Sequence, residues 1–108
     1  MRKLGIYRNR EFAGILTELS RENYVFVYEE TYYNDNSKPP ISLTMPKSQK
    51  EYNSPFLFPF FFNMLSEGVN RQLQCRLLKI DEQDHFGLLS ATAQYDTIGA
   101  ITVKPIEP

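Results

Sequence analysis

Few residues of this sequence could do acid–base, nucleophilic or metal chemistry, and their spacing does not gather them. His85 is the only histidine. Beside Asp84 it reads either as a general base or as a solvent-facing residue in the first turn of a helix, and the second reading needs fewer partners. Cys75 is the only cysteine and has no histidine near it in sequence. It reads as a small packing residue, and a lone thiol excludes an internal disulfide framework and fits a reducing compartment. One His and one Cys do not make a tetrahedral metal set. Gly5, Gly14, Gly68, Gly87 and Gly99 are too scattered to form a phosphate-cradling loop. The seven serines have no histidine partner implied by spacing. Glu29 and Glu30 read as a solvated face, and Asp81, Glu82 and Asp84 as a capped helix start. No catalytic, cofactor-binding or metal-binding residue is expected. A binding or interaction module ranks ahead of a structural subunit, and an enzyme ranks last.

The elements around these residues are organised by the stretch from Pro55 to Gly68, which holds five of the eight phenylalanines. So much apolar surface must be buried against its own domain, a partner, or both. Pro55 and Pro59 extend the residues before them, and Pro59 is tolerated in a first helical turn. The pattern predicts a short buried helix over Phe60 to Ser66, ending near Gly68, with Phe61 and Leu65 on one face.

Before this block the chain reads as strands. Leu4 and Ile6 alternate with Gly5 and Tyr7, Arg8-Asn9-Arg10 is a turn with Asn9 available for a left-handed position, and Phe12 to Leu16 returns. Gly14 marks a bulge or a close backbone approach. Tyr24, Phe26 and Tyr28 share one face of the next strand and Val25 and Val27 the other, so the strand is expected either to be central and covered on both sides or to meet something else with its aromatic face. Glu29 to Pro40 is loop-like; Tyr32 and Tyr33 there are either a lid on the core edge or exposed interface rings. Ile41 to Pro46 predicts a short edge strand, and Lys47 to Ser54 a polar surface link. After the block, Val69, Leu73 and Leu77 recur every fourth residue and predict an amphipathic helix with Cys75 off the stripe. Asp81 as N-cap, with Asp84 in the capping-box position, opens a last helix carrying Phe86, Leu89 and Ala93. Ile98 to Val103 closes as a strand. The result is an α+β fold: a mostly antiparallel sheet of about four to five strands with about three short helices packed on it.

At 108 residues this is one domain, 1–108, able to bury somewhat over 60% of its unfolded surface. A net charge of −1 argues against a nucleic-acid footprint. No stretch approaches the roughly 20 apolar residues of a membrane span, and the N-terminus lacks the pattern of a signal peptide. A cytoplasmic domain is expected.

Phe60-Phe61-Phe62-Asn63-Met64-Leu65-Ser66-Glu67-Gly68, followed by Arg71, resembles the Asn-Leu-Leu-Pro-Glu-Gly…Arg signature of the N-terminal "couple" domain of HipA-type toxin kinases. Ile41 to Pro46 resembles that family's "iSlslP" stretch, and Asp84 to Leu89 with Asp96 and Gly99-Ala100 resembles its "D-x-F-x-L-L…D-x-x-G-A" ending. The likeness runs in collinear order over nearly the whole chain. Ser66 replaces the usual proline, Phe62 the usual aspartate, and the loop before Asp96 carries an extra residue. The resemblance implies a domain that precedes a kinase body bearing all the catalytic motifs, so this chain alone is expected not to be a kinase and to hold no cofactor. With Met1 at its start and prolines at its end, it is expected to be a free-standing subunit of a split serine/threonine kinase toxin–antitoxin system. Its implied partners are a separately encoded HipA-like kinase body and a helix-turn-helix DNA-binding antitoxin, with no direct nucleic-acid or membrane contact. Tyr32, Tyr33, Phe56, Phe58, Asn63, Glu67 and Arg71 are the candidate interface or motif residues; Asn63, Glu67 and Arg71 read either as internal or as partner contacts. The alternative is a stand-alone small-ligand or peptide-binding domain using the aromatic face of Tyr24, Phe26 and Tyr28.

Overall fold

The computed structural model describes residues 1–65, 68–92 and 100–106, and its sheet grows from the hairpin that the N-terminal pattern predicts. Strands β1 (Arg2–Arg8) and β2 (Glu11–Ser20) are joined by Asn9 and Arg10, both at positive φ (49° and 69°). Two left-handed residues make a tight turn whose twist matches that of the strands. Ile6 pairs with Gly14 and Tyr7 with Phe12, leaving Ala13 as the extra residue of a bulge. Gly14 is also a close approach: a Cβ there would lie 2.5 Å from the Val27 carbonyl oxygen and 2.8 Å from the Phe26 ring.

Strand β3 (Asn23–Tyr28) follows β2 antiparallel, β4 (Glu51–Ser54) pairs with β3, and β5 (Ile101–Pro105) pairs with β1. The sheet is five-stranded and antiparallel in the order β4-β3-β2-β1-β5. Four helices accompany it among the described residues: α1 (Glu30–Asn34), α2 (Pro59–Phe62), α3 (Gly68–Leu78) and α4 (His85–Thr92). The α+β expectation holds, with one helix more than the sequence pattern shows.

The core lies on one side of the sheet. Each ring on the inner face of β3 meets one helix: Tyr28 stacks on Tyr32 of α1, Phe26 meets Phe61 of α2, and Tyr24 meets Phe86 of α4. Phe61 is fully buried, which is worth about 1.5–3 kcal/mol relative to exposure. Val25 and Val27, on the other face, stay half-buried.

Several expectations are corrected. The loop-like segment after Tyr28 contains α1, because the Glu29 carboxylate accepts from the Thr31 and Tyr32 N–H groups (3.0 and 2.9 Å) and caps it. Those backbone donors hold the Glu29 carboxyl below its usual range. Ile41 to Pro46 is not a strand. The Ile41 N–H donates to the Tyr28 hydroxyl (3.1 Å), which donates to the Met45 carbonyl, so a side chain takes the bonds a ladder would use. The edge strand is instead β4, inside the expected surface link. Helix α2 is a single turn starting at Pro59; Phe61 and Leu65 are both buried, but Leu65 lies beyond it. The last helix begins at His85, three residues later than expected from Asp81. Asp81 accepts from the Gln83 N–H in a preceding turn, and Asp84 accepts from the Gly87 N–H at the helix start. Ala93, Ile98 and Gly99 lie outside the described residues.

Candidate partner interface

Six of the seven candidate residues are described, and they scatter over two regions of the molecule. Tyr32 is buried, with its hydroxyl donating to the Pro39 carbonyl (2.6 Å) and Lys38 and Lys47 over its ring. Of its two readings, the lid on the core edge is the one realised. Tyr33 is half-buried at the rim of a shallow groove beside Lys38 and Lys47. Phe58 is buried edge-on against Phe61 and offers nothing to a partner.

Phe56, Asn63 and Arg71 lie in the second region. Phe56 is 73% exposed. Asn63 is exposed where α2 ends, its N–H spent on the Pro59 carbonyl. The Arg71 guanidinium lies 5.2 Å over the Phe62 ring, which meets His85 edge-on at 5.0 Å. Phe56, Phe62 and His85 share a half-open cavity of about 320 Å³ with Glu18, Arg21, Tyr24 and Asp84. Glu67, like Ser66 and Asp96, lies outside the described residues.

That cavity brings the one histidine near two carboxylates, but the carboxylates are already engaged. Arg2 donates to Glu18 (2.6 Å) and to both oxygens of Asp84 (2.7 and 3.1 Å), and stacks over Phe86 at 5.0 Å. Arg2 and then the Gly87 N–H hold the Asp84 carboxyl below its usual range. Burial, helped by Arg71, holds His85 below the ordinary imidazole range despite Asp84. His85 thus packs edge-on against Phe62 in a setting that disfavours its charged form, and the charges of Arg2, Glu18 and Asp84 serve to tie β1, β2 and α4 together. Burial pushes the Cys75 thiol up, which disfavours the reactive thiolate.

The aromatic face proposed as a ligand surface is not available. Tyr24, Phe26 and Tyr28 are all buried beneath the helices. The helix predicted from the Val69, Leu73 and Leu77 spacing is present as α3, but its stripe does not enter the core. Val69, Leu73 and Leu77 are 78%, 49% and 71% exposed, while Cys75, off the stripe, is the buried residue. The helix lies on its own domain through Cys75 and turns its apolar stripe outward. Periodicity revealed the stripe; nothing in the pattern says which way it points.

Comparison with known proteins fits this arrangement. Residues 4–104 match the family model described as the HipA N-terminal domain. An uncharacterized protein of Haemophilus influenzae is 31% identical over 94 residues, covering 87% of this chain and 83% of that protein. A putative kinase of Sinorhizobium fredii, Y4mE, is 25% identical over 105 residues, which are 97% of this chain but 25% of the kinase. Among solved structures, the N-terminal domain of HipA toxin superposes with a TM-score of 0.74 at 26% identity, over 99% of this chain and 94% of that one. No helix among the described residues is long and apolar enough to cross a membrane.

Proposed function

This chain belongs to the HipA N-terminal domain family, and from that premise we propose that it is a non-catalytic subunit or domain that docks on a HipA-like serine/threonine kinase body in the cytoplasm and modulates it. One observation carries this reading: the Val69, Leu73 and Leu77 stripe of α3 faces away from the domain's own core. An amphipathic helix with its apolar side outward leaves surface that a second protein body can remove from water. The putative kinase relative supports the choice of partner, because three quarters of its length lies outside the matched segment. A body of that size is what α3 would meet. The reading gives the chain no step in phosphoryl transfer: it supplies a clamp, the kinase body supplies the chemistry, and coupling between them is a matter of differential binding. A helix-turn-helix DNA-binding antitoxin completes the proposed system.

The test is co-purification with a kinase body that lacks its own N-terminal domain. A one-to-one complex is expected, and Leu73→Glu with Leu77→Glu abolishes it while leaving the isolated chain folded. A complex that survives the double substitution, or no complex at all, overturns the reading.

A further inference from the structure

The face of the sheet opposite the helices carries a pattern that docking through α3 does not use. Strand pairing places Glu51, Val27, Ile15, Gly5 and Lys104 in a single row across all five strands. The row begins at an exposed carboxylate on one edge strand and ends at an exposed lysine on the other. Between them it is apolar, because Val27 and Ile15 are half-buried and the Tyr7 ring edge and Ile106 lean over Gly5. Neither Glu51 nor Lys104 has an ion-pair partner among the described residues; the Lys104 ammonium lies over the Tyr7 ring at 5.1 Å. Ile15, on the middle strand, is the centre of the row.

A row that runs from negative through apolar to positive is complementary to itself reversed. We propose that this face is a self-association surface, on which a second copy of the chain packs sheet to sheet about a two-fold axis that passes between the Ile15 side chains, close to the direction of β2 but inclined to it. That axis places Ile15 on Ile15, and it sets Lys104 against Glu51 of the second copy at both ends. Two packed sheets lie about 10 Å apart and cross at about −30°. Over a half-width of about 10 Å that angle displaces the row ends by about 5 Å, within reach of a lysine and a glutamate side chain. The same geometry sets the strength. Five strands at about 4.8 Å spacing and about six residues of length give roughly 400 Å² a side, half of the ~800 Å² of a standard interface. The dimer is therefore weak and concentration-dependent. This inference does not rest on the kinase-docking proposal, since it uses residues of the strands and none of α3.

Sedimentation equilibrium of the 108-residue chain from about 10 μM to 1 mM is the test. A monomer–dimer equilibrium is expected. Lys104→Glu, which sets like charges together at both ends, raises the dissociation constant about tenfold or more, and adding Glu51→Lys restores it. Both positions are exposed, so circular dichroism should be unchanged. A chain monomeric throughout, a dimer indifferent to Lys104→Glu, or a double variant that fails to recover would each overturn the proposal. So would a monomer in which Lys104→Glu instead weakens co-purification with the kinase body, since the face would then belong to that partner.

Discussion

Arg2 holds two carboxylates from two elements, and the consequence for pH has a definite sign. The Asp84 carboxyl is held low by Arg2, so it stabilises the fold above the ordinary carboxylate range, and that contribution is lost as pH falls through its lowered value. His85 is also held low, so acid works against the fold there too, beginning as pH falls through the ordinary imidazole value. Asp84→Asn keeps an oxygen for the Gly87 N–H but removes the charge facing Arg2. Because Arg2 is partly exposed, the expected cost at pH 7 is only about 1 kcal/mol. Denaturant titrations of both proteins should show the gap narrowing below about pH 4; a gap constant with pH would mean the charge contributes nothing. Gly14 is a steric requirement of another kind. Gly14→Ala drives a methyl into the Val27 carbonyl and the Phe26 ring, and about 1–3 kcal/mol is expected in a thermal melt.

Among the elements, the segment from Ile41 to Met45 shows how one hydroxyl replaces a ladder. Burial pushes the Tyr28 phenol up to about 12, so it stays protonated and donates to the Met45 carbonyl at any ordinary pH. Tyr28→Phe leaves that carbonyl and the Ile41 N–H without their partner. A loss of about 1–3 kcal/mol is expected, with faster amide exchange at Ile41 as the local readout. Helix α3 closes with Lys79 at φ 57° and the Ile80 N–H bonded to the Cys75 carbonyl (2.9 Å), a left-handed cap made without glycine. Its outward stripe predicts an asymmetry. Leu73→Glu with Leu77→Glu should move the stability of the isolated chain by no more than about 0.5 kcal/mol, because neither side chain is in the core. A large loss would show that the stripe packs inward after all.

At the scale of the whole molecule, the fold leaves two separate surfaces uncovered, the α3 stripe and the open sheet face. The titratable groups that do converge are spent on one another, as Arg2 is on Glu18 and Asp84. The isolated chain is accordingly expected not to bind ATP; micromolar binding by calorimetry would contradict a purely docking role.

The hairpin was legible because Asn9 tolerates a left-handed turn and Gly14 marks a close approach, both local properties of the backbone. The buried ring face of β3 was legible through strict alternation, and the family through the residues around the phenylalanine block. The α1 helix, the loop at Ile41 and the place of β4 were not, because a capping carboxylate and the Tyr28 hydroxyl reassign backbone bonds over distances that local patterns do not contain. Periodicity alone showed that α3 has an apolar side. Only the tertiary structure decided that this side faces out, because direction depends on which surface the rest of the core has already filled.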